Sequence, residues 1–142
     1  MSTGYSMYNQ VNINSTSPNK IILMLYDACI NFTKKAIEYT ELNDIKNKNI
    51  YANKAREIIV GFNDVLNMDA GGEIATNLRS LYLFLNPHLM EANWHNDTEK
   101  LNEVVKLMSN LRDAWEDAYN QETGIAIQEK TFGEKPWAGL MV

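Results

Sequence analysis

Four stretches of this chain repeat apolar residues every three or four positions, which is the spacing of one face of an α-helix. Polar or glycine-containing breaks separate the stretches. An amphipathic helix has to bury its apolar face against another element, so the pattern predicts an all-α domain with four helices. The four faces consist, in chain order, of Ile21, Leu25, Ala28, Phe32, Ala36 and Tyr39, then Tyr51, Ala55, Ile58, Phe62 and Val65, then Ile74, Leu78, Leu81, Leu85 and Leu89, and finally Leu101, Val104, Met108, Leu111, Trp115 and Ala118.

Capping residues and polar runs indicate where the first two helices begin and end. Ser17 can cap the first helix, and Pro18 suits its first position because proline loses no hydrogen bond there. We expect this helix to end near Asn43. The polar run 43–49 predicts a connection, so the second helix is expected to begin at about Ile50.

The third helix is expected to run from about Gly72 to Asn93, with Pro87 inside its apolar pattern. Proline in a helix interior removes a hydrogen bond and clashes with the carbonyl group four residues earlier. We therefore expect one helix with a kink near residues 83–86.

A short turn over residues 94–97 leads to the fourth helix, for which Asp97 or Thr98 is the expected N-cap. The helical periodicity is lost from Asn120 onward, where glycine and proline recur. The fourth helix is therefore expected to end just before that residue.

The chain divides into an N-terminal arm (residues 1–16), a four-helix domain (17–119) and an irregular tail (120–142). The arm carries no charge but holds apolar residues such as Tyr8 and Ile13. Such a segment cannot fold alone, yet it is too apolar for a plain solvated tail. It is either an arm that docks on the bundle or on a partner, which we favour, or a frayed terminus.

Charge, hydropathy and cysteine content exclude several functional classes. The net charge of -5 argues against nucleic acid as the main partner, because such binding needs a clustered basic face. The longest apolar run, residues 21–26, is too short to span a bilayer, and no secretory signal precedes it, so we expect no stable membrane insertion. The single cysteine, Cys29, excludes an intramolecular disulfide and fits a reducing cytoplasm.

Motifs for catalysis or cofactor binding are missing from the sequence. It has no phosphate-binding glycine-rich loop, no CxxC and no HExxH. His88 and Glu91 stand in the reverse of the Glu-x-x-His order of di-iron bundles, and Glu91 with His95 would supply only two ligands. The sequence therefore predicts neither an enzyme nor a metal or other cofactor.

Three blocks of the sequence share their order and spacing with a known family. They are Tyr8 with TSPNKIILMLYD (residues 16–27), GGEIATNL with the following LY (71–82), and LRDAW (111–115). Over roughly residues 8–119 the chain resembles the flagellin-specific secretion chaperone family, FliS. It departs from that family after Tyr82, where the family commonly has polar and basic residues and this chain has LFLNPH (83–88).

The resemblance implies an antiparallel four-helix bundle that binds the disordered C-terminal segment of flagellin in the bacterial cytosol. In the family this prevents premature polymerisation and delivers flagellin to the flagellar type III export gate. The implied partners are therefore flagellin and an export gate protein, and Tyr8 matches a position of the arm that contributes to engaging the gate. A client that folds on binding has to offset its ordering entropy, so a large apolar groove is expected.

The predicted partner contacts lie on the arm and on the first three helices. Asn77 and Tyr82 flank the apolar face of the third helix, where a bundle can bury them only with polar partners. We interpret Asn77 as structural, whereas Tyr82 fits either a structural role or client contact. The full set of predicted contact residues is Tyr8, Ile13, Ile22, Tyr26, Asp27, Ala55, Ile59, Asn77, Leu78 and Tyr82.

Two other functional classes fit the same pattern. One is a generic four-helix interaction module, for example a chaperone for another type III substrate, and the other is an oligomerising structural bundle. Outward apolar residues of the first helix would face solvent or the arm in a chaperone, and would be buried between subunits in an obligate oligomer. The sequence leaves open whether the protein is a monomer or a weak homodimer.

Overall fold

The computed structural model describes residues 18–66 and 68–124, and four α-helices account for nearly all of this part of the chain. Helix α1 packs against α2 and α4, and α3 packs against the same two helices. Short turns join successive helices, so neighbouring helices are antiparallel. The predicted all-α four-helix bundle is confirmed. The helices are α1 (Pro18–Glu41), α2 (Ile45–Val65), α3 (Met68–Trp94) and α4 (Thr98–Gly124).

The turn between α1 and α2 is shorter than predicted, because α2 begins at Ile45 and not near Ile50. Asn43 adopts a left-handed conformation with φ 57° and ends α1. The next residue, Asp44, caps α2 by accepting a hydrogen bond from the backbone N–H of Asn47 at 3.2 Å. The polar residues after this cap are helical, and one of them, Lys48, is buried.

Lys48 fixes the end of the bundle at which the α1–α2 and α3–α4 turns meet. Its ammonium group donates to the backbone carbonyl of Asn93 at 2.9 Å and to the side-chain oxygen of Asn96 at 2.7 Å. A cation is favourable at the C-terminal end of α3, where helix carbonyl groups lack partners. Together with the Asp44 cap, this tertiary contact accounts for the helical structure of a polar run that predicts a loop.

Helix α3 has its backbone kink at Gly72, not near residues 83–86 as predicted. Gly72 has φ 58° and ψ -139°, a combination that is accessible essentially to glycine alone. The helix continues through Pro87 with helical dihedral angles. Proline fixes φ close to its helical value, so here it removes a donor without ending the helix.

The turn between α3 and α4 agrees with the prediction. Asn96 adopts a left-handed conformation with φ 54°, and the Asp97 carboxylate caps α4 by accepting from the backbone N–H of Lys100 at 3.1 Å. At its other end α4 continues to Gly124, beyond the end expected from the sequence. The predicted arm, the Ser17 cap and the remainder of the predicted tail lie outside the described residues.

The core takes its largest side chains from all four helices. Tyr26, Phe62, Tyr82 and Met108 are each no more than 2% exposed. Leucine and isoleucine residues of the predicted faces belong to the same buried cluster, among them Leu25, Ile58, Leu85 and Leu101.

No helix of the described part is both long enough and apolar enough to cross a membrane.

Candidate protein-interaction surface on helices α2 and α3

The ten predicted partner contacts are divided between the core, the surface and the undescribed arm. Tyr8 and Ile13 lie outside the described residues. Asp27 is half-buried, and Asn77 is exposed and therefore does not have the buried structural position that we expected. The other six are buried in the bundle core: Ile22, Tyr26, Ala55, Ile59, Leu78 and Tyr82.

Tyr26 and Tyr82 form the polar centre of an aromatic layer that joins all four helices. Their hydroxyl groups lie 2.7 Å apart, which connects the diagonally opposed helices α1 and α3. The Phe62 ring of α2 lies 4.6 Å from the Tyr26 ring and 5.7 Å from the Tyr82 ring, between centroids. Trp115 of α4 is buried in the same core cluster. Both tyrosines thus contribute to bundle packing in this chain.

The buried environment keeps the hydroxyl groups of this layer neutral. Burial raises the pKa of Tyr82 to about 12. Burial also raises the pKa of Tyr26 well above its ordinary value, and the neighbouring Tyr82 adds to the shift. Neutral hydroxyl groups can each donate one hydrogen bond and accept another, so the pair is satisfied without an ion.

Cys29 is likewise a buried structural residue. Its thiol donates to the backbone carbonyl of Ala55 at 3.6 Å, across the α1–α2 interface. Burial raises the pKa of the thiol to about 12, so it is not a reactive thiolate at neutral pH. Among the described residues, no three His, Cys, Asp or Glu side chains come together as a possible metal site.

The seam between α1 and α4 is fastened by one arginine that is surrounded by carboxylates. Arg112 donates through Nε to Asp27 at 2.9 Å, and its Nη1 lies 2.9 Å from Glu116 and 3.5 Å from Asp113. The hydrogen bond from Arg112 to Asp27 raises the pKa of the guanidinium above its usual range. Asp27 is therefore engaged within the bundle, although the sequence suggested a partner contact.

The seam between α2 and α3 is fastened differently, by three polar pairs that we call the asparagine ladder. Asn93 donates to Asn49 at 2.9 Å, and Arg56 donates through Nε to Asn86 at 3.1 Å. Arg79 donates to the side-chain oxygen of Asn63 at 3.3 Å and to its backbone carbonyl at 3.5 Å. Successive pairs are one heptad apart on each helix and run in antiparallel order: Asn49–Asn93, Arg56–Asn86 and Asn63–Arg79.

Two apolar residues, Val60 of α2 and Leu83 of α3, lie at a level of the seam between the two arginine-containing pairs, and we call this level the apolar point. Val60 follows Arg56 by four residues and Leu83 follows Arg79 by four, so helix geometry places both on the same stretch of the seam. Val60 is half-buried, whereas Leu83 is 58% exposed. The seam therefore presents apolar surface to solvent between two guanidinium groups.

Our sequence analysis did not predict the ladder, because a single asparagine or arginine on a helix does not indicate its tertiary partner. The signal that could have found it is the repeat of polar residues at heptad spacing on both helices. Positions 49, 56 and 63 on one helix match positions 93, 86 and 79 on the next, as antiparallel packing requires.

The whole bundle matches a single protein family. The model of the family described as "Flagellar protein FliS" matches residues 1–122, which include α1, α2, α3 and nearly all of α4. This chain belongs to the FliS family. The residues after 122 lie beyond the FliS match.

Curated FliS relatives support the same assignment. The flagellar secretion chaperone FliS of Bacillus subtilis is 34% identical over 118 residues, which cover 83% of this chain and 87% of the relative. The protein of the same name from Salmonella typhimurium is 36% identical over 118 residues, covering 80% and 87%. That of Escherichia coli is 29% identical over 120 residues, covering 81% and 88%. These relatives support the placement of the chain in the FliS family.

Proposed function

We propose that this protein binds the disordered C-terminal segment of flagellin, prevents its premature polymerisation and delivers it to the flagellar type III export gate. Membership in the FliS family supports a role in flagellar secretion. The choice of flagellin as client, and the arm around Tyr8 as the part that engages an export gate protein, rest on the family resemblance.

The observation that carries the proposal is the exposed Leu83 beside Val60 on the α2–α3 seam. The inner faces of all four helices are already buried against one another, so the bundle does not need a client to fill its core. An amphipathic client helix can instead lay its apolar face along the outside of a helix pair. Leu83 is 58% exposed in the middle of α3, where it can be buried only by another segment.

This proposal moves the client contacts outward from most of the residues predicted from the sequence. Tyr26, Tyr82 and their buried neighbours set the positions of α1 and α3, whereas Asn77 is exposed on α3, one helical turn from Ser80, which is also exposed. Asn77 lies two residues before Arg79, which places it on nearly the opposite side of α3 from the α2–α3 seam. We therefore propose a client surface that includes Val60 and Leu83.

Calorimetry with a peptide from the C-terminal segment of flagellin tests this function. We expect a 1:1 complex, and we expect Leu83→Ala to weaken binding about tenfold because it removes an apolar side chain from the contact. Leu42→Ala is the matched control, since Leu42 is 65% exposed but lies beyond the end of α1, away from the seam. Absence of binding by the unaltered protein would overturn the proposal. Equal effects of the two substitutions would show that the client binds elsewhere.

A further inference from the structure

The two arginines of the asparagine ladder are held in place without being neutralised. Asn86 accepts from Arg56 and Asn63 accepts from Arg79. An asparagine side chain is neutral, and one amide oxygen cannot saturate the five N–H donors of a guanidinium group. Among the described residues, neither arginine has a carboxylate within ion-pair distance.

Arg112 differs from Arg56 and Arg79, because its partners are carboxylates of the bundle. It has two carboxylate oxygens at 2.9 Å, from Asp27 and Glu116. Its charge is compensated, whereas the charges of Arg56 and Arg79 remain available to a ligand. Arginine that is fixed in position and only partly paired suits bidentate recognition of carboxylates.

The spacing of the two available charges defines the ligand further. Arg56 projects from α2 at one pair of the ladder, and Arg79 projects from α3 at the next pair, one heptad along the seam. Seven residues of helix correspond to about 10 Å. The apolar point formed by Val60 and Leu83 lies between them.

We propose that Arg56 and Arg79 select a client helix that carries two carboxylates about one heptad apart, with an apolar residue between them. The apolar residue packs on Val60 and Leu83, and each carboxylate accepts hydrogen bonds from one guanidinium group. This inference rests on the proposed function of the α2–α3 seam as the client surface. It assigns the two arginines as specificity-determining residues and gives the chemical class of the segment that they select.

The test uses two synthetic alanine-rich helical peptides of about 21 residues, long enough to form helix in water. One carries the pattern Glu-x-x-x-Leu-x-x-Glu, and in the other both glutamates are glutamine. With the full-length protein at low salt we expect the glutamate peptide to bind more tightly, by about tenfold for each charge pair. This preference should fall as the salt concentration rises, because exposed charge pairs are screened.

Protein variants then identify the source of the preference. In Arg56→Gln/Arg79→Gln the amide groups can still donate to Asn86 and Asn63, so the fold is retained, and we expect the two peptides to bind equally. Arg56→Lys/Arg79→Lys keeps the charges but loses the bidentate geometry, so it should keep only part of the preference. Arg112→Gln removes one charge from the other seam and should leave the preference unchanged. Circular dichroism of each variant confirms that the bundle is folded.

The result that overturns the inference is a preference that is absent in the unaltered protein, or that persists in Arg56→Gln/Arg79→Gln. A parallel titration with the flagellin C-terminal segment separates this from failure of the proposed function. If flagellin binds but is insensitive to the paired glutamine substitutions, the client function stands and the charge selection is wrong. If the glutamate peptide shows the arginine-dependent preference but flagellin does not bind, the charge selection stands and the choice of client is wrong.

Discussion

Both the α1–α4 seam and the α2–α3 seam of this bundle contain arginine, but the arginines have different partners on the two seams. On the α1–α4 seam, Arg112 forms ion pairs with Asp27 and Glu116, so its charge is compensated within the protein. On the α2–α3 seam, Arg56 and Arg79 donate hydrogen bonds to asparagines. These neutral partners position the guanidinium groups without compensating their charge. The comparison shows that the partner of an arginine, more than its exposure, decides whether it closes a bundle or remains able to bind a ligand.

The two seams also differ in what lies at their surfaces. The α2–α3 seam has an exposed leucine, Leu83. Phe84, next to it, is 51% exposed and stacks on His88 at 4.9 Å between ring centroids. Helix α3 therefore presents apolar side chains to solvent while its inner face remains buried, which is consistent with a binding role.

The largest expected effect comes from removing the aromatic contribution of α4 to the core. Trp115→Ala should lower the free energy of unfolding by about 3–5 kcal/mol, because it leaves a cavity in place of a large buried side chain. Urea denaturation followed by circular dichroism measures the change. A loss below about 1 kcal/mol would mean that α4 does not depend on this layer.

High pH should weaken the link between α1 and α3. The pKa of Tyr82 is raised by burial to about 12, and that of Tyr26 is raised as well. A raised pKa in the folded state stabilises the protein below the unfolded pKa, which for tyrosine is about 10, and this stability is lost as the pH rises through the folded pKa. We therefore expect the free energy of unfolding to fall between about pH 10 and 12, by up to about 1.4 kcal/mol per pH unit for each group.

Cys29 contributes in the same direction from a lower pH, because its thiol pKa rises from 9.0 to about 12 on burial. The tyrosine contribution can be isolated by comparing Tyr82→Phe with the unaltered protein in urea denaturation at several alkaline pH values. Tyr82→Phe should show a shallower loss of stability above pH 10. Identical pH profiles would indicate that the Tyr26–Tyr82 pair does not control alkaline unfolding.

A substitution of Lys48 tests its role in joining the start of α2 to the end of α3, which we call the anchor role. Lys48→Met keeps the apolar stem but removes the donor to the Asn93 carbonyl and to the Asn96 side chain. The side-chain oxygen of Asn93 is already buried without a partner among the described residues. Leaving another buried acceptor unsatisfied should cost about 2 kcal/mol. Thermal denaturation measures this cost, and an unchanged melting temperature would contradict the anchor role.

The smallest effect on stability is expected from the arginines themselves. Arg112→Gln should lower the free energy of unfolding by about 0.5–1 kcal/mol at low salt, because partly exposed ion pairs contribute little and are screened. Arg56→Gln should change stability by less, since glutamine can still donate to Asn86. Denaturation of both variants at two salt concentrations tests the order. The comparison between the seams fails if Arg56→Gln is the more destabilising change.

The fold was predictable from the sequence because helical periodicity, proline and capping residues act locally. Pro18, Asp97 and the four apolar faces indicated the helices and one of their caps. Two errors concern local signals: Asp44 caps α2 ahead of the predicted start, and the kink of α3 lies at Gly72 and not near Pro87. A distant contact also supports the first turn of α2, because Lys48 donates to Asn93 and Asn96, and the sequence does not reveal those partners.

The candidate surface was harder to predict than the fold. Most of the residues chosen from the sequence were apolar residues of the helix faces or matched family motifs, and the bundle buries six of them. Arg79 falls within the second family block, but no residue of the ladder can be recognised as a contact residue from its own position in the sequence. The pairs can be recognised only once the register between α2 and α3 is known, since it pairs position 56 with 86 and position 63 with 79.

The most direct test of the central claim uses the fact that this chain has three arginines, Arg56, Arg79 and Arg112. A nitrogen-15 spectrum of the arginine Nε–H groups therefore holds one signal from each seam position. On titration with the flagellin C-terminal segment, we predict that the signals of Arg56 and Arg79 shift to saturation while that of Arg112 stays in place. A shift of the Arg112 signal with unchanged Arg56 and Arg79 signals would contradict the assignment of the α2–α3 seam as the client surface.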